Sequence, residues 1–126
     1  MQLKSEIMCR LIGISNAEYG TPGGNDTKDK VFLLSQLDMI NTDYGFAESY
    51  GTKDENRICE CTSYANSQGV RRGWWGGLSC DEWWLRTMGV SNTGAVTVTG
   101  YGAANGLGIY VHTTQGIRPA LCINLK

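Results

Sequence analysis

Trp83-Trp84-Leu85-Arg86, then Ala95-Val96-Thr97-Val98-Thr99, then Leu107-Gly108-Ile109-Tyr110-Val111-His112 are the segments on which the fold turns. Each is short and rich in β-branched or aromatic side chains, and Gly94, Gly100 and Gly106 punctuate them, the pattern of strands joined by turns. Successive strand residues face opposite ways. Val96 and Val98 therefore share a face. Ile109 and Val111 lie on one side of their strand, and Tyr110 and His112 on the other. Trp83 and Trp84 must part, one entering the core and the other a second layer or solvent. Gly100, Gly102 and Gly106 mark the turn between the second and third segments. Ile117 to Leu125 is expected as a last strand, at an edge or bulged, because Pro119 lacks an amide donor.

Upstream the pattern differs. Val31 to Leu34 is a short apolar run expected as a buried strand. Ser35 with Asp38 three residues on predicts a helix start, since hydroxyl and carboxylate satisfy free backbone donors. The helix runs from Gln36 to about Asp43, with Leu37 and Ile40 inward. Tyr44 to Asn56 is polar and turn-rich, and Asp54 and Glu55 read as solvated. Thr62 caps a second short helix, Ser63 to Gln68, closed by Gly69. Tyr64 and Ala65 are its expected buried side. Leu3 to Ile14 fits an edge strand or a packed helix, and Asn16 to Thr27 is a loop. The order predicts an α+β fold: two short helices followed by an antiparallel, loop-rich sheet. Residues 1–27 form an N-terminal strand and loop extension and 28–126 the domain proper, one domain overall.

Composition narrows the classes. The 126 residues suffice for one domain with a hydrophobic core, and 17 glycines against two prolines favour many tight turns over long helices. The net charge of -1 and the isolated Arg71-Arg72 doublet argue against nucleic acid as partner. No stretch approaches the ~20 apolar residues of a membrane span. No export signal is legible, which makes the cytoplasm the default and surface display a property of a larger or truncated protein.

Five cysteines are present, Cys9, Cys59, Cys61, Cys80 and Cys122. The odd count and the single residue between Cys59 and Cys61 favour reduced, partly buried thiols. One or two disulfides are the alternative, and a metal site fits least. No cofactor is implied. His112 lacks a partner at metal spacing and a nucleophile nearby, so it reads as surface. Arg86 and Arg118 lie in apolar strands and need partners, with Asp81 and Glu82 the nearest acids. Trp74 and Trp75 sit within Gly73-Trp74-Trp75-Gly76-Gly77. Aromatics on such a loop either cap a small core or meet a ligand.

Four motifs occur in order: Asp29-Lys30-Val31-Phe32-Leu33-Leu34-Ser35, Thr62-Ser63-Tyr64-Ala65, Trp83-Trp84-Leu85-Arg86-Thr87 and Gly116-Ile117-Arg118-Pro119-Ala120-Leu121. Together they resemble an uncharacterised bacterial domain family of unknown function, with DKVFLLS, T-x-YA, WWLRS and GVRPAL as hallmarks, over residues 28–126. This chain departs from the pattern at Thr87-Met88, where Ser-Pro is usual, and at Cys122, where Trp is common. The family resembles the C-type-lectin fold in the version shared with formylglycine-generating enzymes. That fold also carries the variable proteins of diversity-generating retroelements. The resemblance implies a C-type-lectin-like fold with a variable surface within Gly73 to His112. The calcium–sugar motifs of true C-type lectins are absent, and calcium needs a cluster of oxygen ligands.

The expectation is a non-catalytic display module that binds a protein or glycan. Its surface comprises Trp74, Trp75, Ser91, Asn92, Tyr101, Asn105, Tyr110 and His112. These are the aromatic and small polar types that antibody loops use. Two alternatives stand: an enzyme-like domain using Cys80, Cys122 or His112, and a structural domain of a larger surface protein.

Overall fold

Along Glu82–Met88 burial alternates residue by residue, with Trp83, Leu85 and Thr87 inside and their neighbours half-buried. This is the period of a strand with one face on a core. In the computed structural model, which describes residues 8–70, 80–104 and 106–123, the segment is β3 of a small sheet. It pairs antiparallel with β4 (Gly94–Thr99), Trp83 facing Val98 and Trp84 facing Thr97, with a register irregularity before Met88. β4 pairs antiparallel with β5 (Ile109–Tyr110). A second sheet has two antiparallel strands, β1 (Cys9–Leu11) and β2 (Thr27–Asp29). The protein is thus mixed: two small antiparallel sheets and little helix among the described residues.

Trp83, Leu85, Val96 and Val98 pack with Met39, Phe46 and Ala104 into the core. Met39 comes from Leu37–Ile40, the first of two 3-10 turns that stand where one helix is expected; the other is Thr42–Tyr44. The expected start is correct, since Ser35 N–H and Oγ both donate to Asp38 at 2.7 and 2.9 Å. The inward residue is not: the tighter 3-10 winding turns Met39 in and leaves Leu37 exposed. α1 (Ser63–Ser67) forms as expected, with Thr62 Oγ1 accepting from Ala65 N–H at 3.0 Å. It buries none of its residues, and Tyr64 is exposed.

Two expected strands shrink. Of Val31 to Leu34, Phe32 alone pairs, in a bridge to Ala120, and Val31 is exposed. Of Ile117 to Leu125, the described residues contribute only that bridge. Gly116 makes a separate parallel bridge to Trp83. Among the described residues each of the two segments makes the one Phe32–Ala120 bridge, too little pairing to propagate a ladder.

The polar stretch Tyr44 to Asn56 is mostly exposed, yet its backbone wraps a buried side chain. Arg57 is fully buried. Its Nε donates to Met39 O at 2.9 Å. Nη1 reaches Gly102 O and Thr52 O, and Nη2 reaches Ala47 O and Ser49 O, all within 3.2 Å. Asp54, expected in solvent, is buried 3.3 Å from Arg57 Nε and accepts from Ala47 and Asn56 N–H. Burial pulls the Arg57 pKa down and the Asp54 charge opposes that. Trp83 Nε1 donates to Arg57 O at 2.9 Å, which ties this network to the core indole. Gly102 sits at φ +86°, and a Cβ there would collide with the Asp54 carbonyl.

The N-terminal segment is tied to the rest. Asn16 is buried and donates to Met88 O and Gly106 O at 2.9 and 2.7 Å. Ala17 N–H donates to Gln36 Oε1. Cys9 and Cys122 form a disulfide, as do Cys61 and Cys80, and Cys59 is a free thiol. The reading of five reduced thiols is thereby replaced by the two-disulfide alternative.

Two outcomes follow. Arg57→Met strands the buried Asp54 carboxylate and the carbonyls of Met39 and Gly102 and lowers the unfolding free energy in urea by about 3–5 kcal/mol, a large part of the 5–15 kcal/mol typical of a domain. Non-reducing peptide mapping finds Cys9–Cys122 and Cys61–Cys80. Because the first links residues 113 apart, opening it costs more than opening the second, about 5 against 3 kcal/mol on a chain-entropy basis, read as the larger fall in Tm for Cys9→Ser.

Candidate functional site

Val90, Leu107, Tyr110 and Val111 are large apolar side chains left in solvent, each about half exposed or more. They come from the two connections that flank β4. The first is the turn after β3, closed by Gly94 N–H on Ser91 O at 3.2 Å, with the Ser91 and Thr93 hydroxyls 2.9 Å apart. The second surrounds β5. Val90 N–H donates to Leu107 O, and Val111 N–H to Thr93 O, so the backbone locks the two connections side by side. Glycines permit this approach: a Cβ on Gly108, at φ +74°, would press on Ala95 O, and one on Gly89 on Leu107 O.

Between them lies a groove of about 520 Å³. Val90, Leu107, Ile109 and Tyr110 supply its apolar wall, and Ser91, Thr93, Thr113 and Gln115 its polar groups. Glu82 closes one end, and its carboxylate accepts from the Thr97 hydroxyl. The Tyr110 ring stacks on His112, centroids 5.5 Å apart and planes 18° apart. The stack covers one face of the phenol ring and leaves the tyrosine 63% exposed. A fixed aromatic face beside hydroxyls and an amide can bind a ligand by contact area plus a few directed hydrogen bonds.

The expected residues separate on this map. Ser91 and Tyr110 line the groove, His112 supports Tyr110, and Asn92 is exposed on the same turn without lining it. Tyr101 is elsewhere. It does not line the groove, and it follows Thr99, at the end of β4 opposite the Gly94–Tyr110 pair. The connection that begins at Tyr101 is not displayed along its whole length. Its first part turns inward, with Ala103 and Ala104 fully buried and Ala104 N–H donating to Tyr50 O at 2.8 Å. Trp74, Trp75 and Asn105 lie outside the described residues. Sequence reasoning missed Val90, Leu107 and Val111. Period-2 alternation placed Val111 with Ile109, but β5 ends at Tyr110 and the alternation ends with it.

The other candidates disperse. Cys80 and Cys122 belong to different disulfides. Arg86 lies 3.9 Å from Asp38, not against Asp81 or Glu82. Arg118 lies over the Trp83 ring at 5.4 Å and donates to Asn56 O. Among the described residues no His, Cys, Asp and Glu group could hold a metal ion, and no helix is long and apolar enough to cross a membrane.

The family model for a domain of unknown function, DUF6273, matches residues 2–125, and the chain belongs to that family. No curated protein and no solved structure matches it.

Because the groove's side chains stand outside the core, changing them leaves the fold intact. Tyr110→Ala shifts stability by no more than about 0.5 kcal/mol, whereas Trp83→Ala costs about 3–5 kcal/mol, as chemical denaturation of the two variants measures.

Proposed function

We propose that this domain is a non-catalytic binding module that takes a protein or glycan ligand in the groove beside β5. The observation that carries this reading is the exposure of Val90, Leu107, Tyr110 and Val111 around one groove. Exposed apolar groups gathered on one face of a small domain mark an interaction site more often than singly scattered ones do. Their backbones are cross-bonded, so little conformational entropy is lost when a partner arrives.

The finer reading is a C-type-lectin-like fold of the kind carried by retroelement variable proteins. Its support is the order of four sequence motifs and the share of the groove that Val90, Ser91, Thr93 and Leu107 supply from connections between strands. In such a protein substitutions at Ser91, Asn92, Tyr110 and His112 are tolerated, because none fills the core. Trp74, Trp75 and Asn105 belong to the same proposal on sequence grounds, as does Tyr101 for a separate patch.

Glycan and surface-protein arrays probed with the disulfide-intact protein test the proposal. A ligand is expected whose affinity falls about tenfold or more in Tyr110→Ala, the scale of losing one aromatic anchor, and is unchanged in Tyr64→Ala, an equally exposed tyrosine on α1. Equal loss in both variants, or loss in neither, sinks the assignment to this groove.

A further inference from the structure

Arg86 keeps hydrogen-bond donors unspent. It stands on the half-buried face of β3, its side chain 24% exposed, and its backbone N–H donates to Leu34 O at 2.9 Å. Its guanidinium approaches one charged group among the described residues, Asp38 Oδ2 at 3.9 Å, beyond hydrogen-bond distance. That oxygen is already committed to Ser35 N–H and Oγ. A guanidinium offers five donors in a planar fork and stays charged at any ordinary pH.

The surroundings are concave, one side mixed polar and apolar and the other mainly apolar. Two grooves of about 390 Å³ each meet at Leu11, Phe32 and Arg86. One runs on past Ile12 and Ile14, the other past Leu34, Phe46 and Leu121. Besides Asp38, the charged groups on these walls are Asp29 and Arg10. Arg10 is engaged by Asp26 at 3.2 Å, and Asp29 takes the Thr27 hydroxyl at 2.7 Å. Among the described residues Arg86 is thus the wall cation without a hydrogen-bonded counter-charge.

We propose that this junction is a second binding site, for a small monocarboxylate with an apolar body. The carboxylate pairs with the Arg86 fork, and a ring or short alkyl chain lies against Leu11 and Phe32. Bidentate carboxylate–guanidinium pairing supplies direction and charge-assisted strength, and the apolar walls supply area. The nearby Asp38 charge limits affinity and selects against dianions such as phosphate monoesters. This site shares no lining residue with the groove beside β5, so either can fail alone.

The test is titration of the folded, disulfide-intact protein with 3-phenylpropionate and with its neutral amide, followed by amide NMR shifts. The acid is expected to bind about tenfold tighter than the amide or better, the scale of one charge-assisted pair, with shifts centred on Leu11, Phe32 and Arg86. Arg86→Lys, which keeps the charge and loses the fork, weakens the acid about tenfold. Asp38→Asn, which can still accept from Ser35, tightens the acid several-fold and leaves the amide unchanged. Equal binding of acid and amide overturns the proposal. So do shifts centred on Tyr110, an Arg86→Lys variant that binds as the native chain does, or no binding by the native chain at about 10 mM ligand. The acid–amide comparison and Asp38→Asn decide the matter even if Arg86→Lys does not fold.

Discussion

Arg57 occupies a position where hydrophobic burial alone would put a leucine, and the rest of the structure is arranged to keep its charge there. A charged group with no exposure costs several kcal/mol unless it is paired and its donors are used. Here Asp54 provides the counter-charge, and carbonyls from Met39, Ala47, Ser49, Thr52 and Gly102 take the donors. Those carbonyls come from the turn that buries Met39, from the 47–52 loop, and from the connection after β4. The first is a single 3-10 turn, and the other two carry no strand or helix ladder through these residues. The guanidinium does for them what a ladder does elsewhere. The same residue's own carbonyl receives the Trp83 indole, so the polar hub and the apolar core are fastened at one point.

Much of this was legible in the sequence where period or chemistry was local. The β3 and β4 strands, the Ser35–Asp38 and Thr62–Ala65 capping contacts, and the opposed faces of Trp83 and Trp84 all follow from rules that span a few residues. What escaped prediction depends on distant partners. Asp54 looks solvated in the string Tyr44 to Asn56, because nothing local says that Arg57 will be drawn inside by carbonyls up to 45 residues away. Val31 to Leu34 and Ile117 to Leu125 carry strand composition, yet they meet through the one Phe32–Ala120 bridge. Composition reports a preference for extended backbone but not whether a neighbour is present along its length.

The candidate groove was half legible for the same reason. Ser91 and Tyr110 were chosen for their types, and type is a local property. Val90 and Leu107 join them only because Val90 N–H finds Leu107 O across the two connections, a contact with no mark in the sequence. Tyr101 fails in the opposite sense. It has the right chemistry, but the strand register places it at the other end of β4.

A domain with so few ladders faces a tension between stiffness and exposed function. Loops that display side chains are usually loops that move. Here the connection after β4 is divided. Gly102, Ala103 and Ala104 are buried and held by Arg57, Tyr50 and Gln36, while Leu107 to His112 emerge. Gly106 is gripped at the boundary by Asn16, whose amide also holds Met88 O at the end of β3. The exposed part is thus anchored immediately before it leaves the interior. Side chains there can change without reaching the core, since the hydrogen bonds that join the two connections, Val90 to Leu107 and Val111 to Thr93, are made by backbone atoms. That division between backbone-held position and side-chain-borne recognition is what a surface built to vary, or simply to bind, requires.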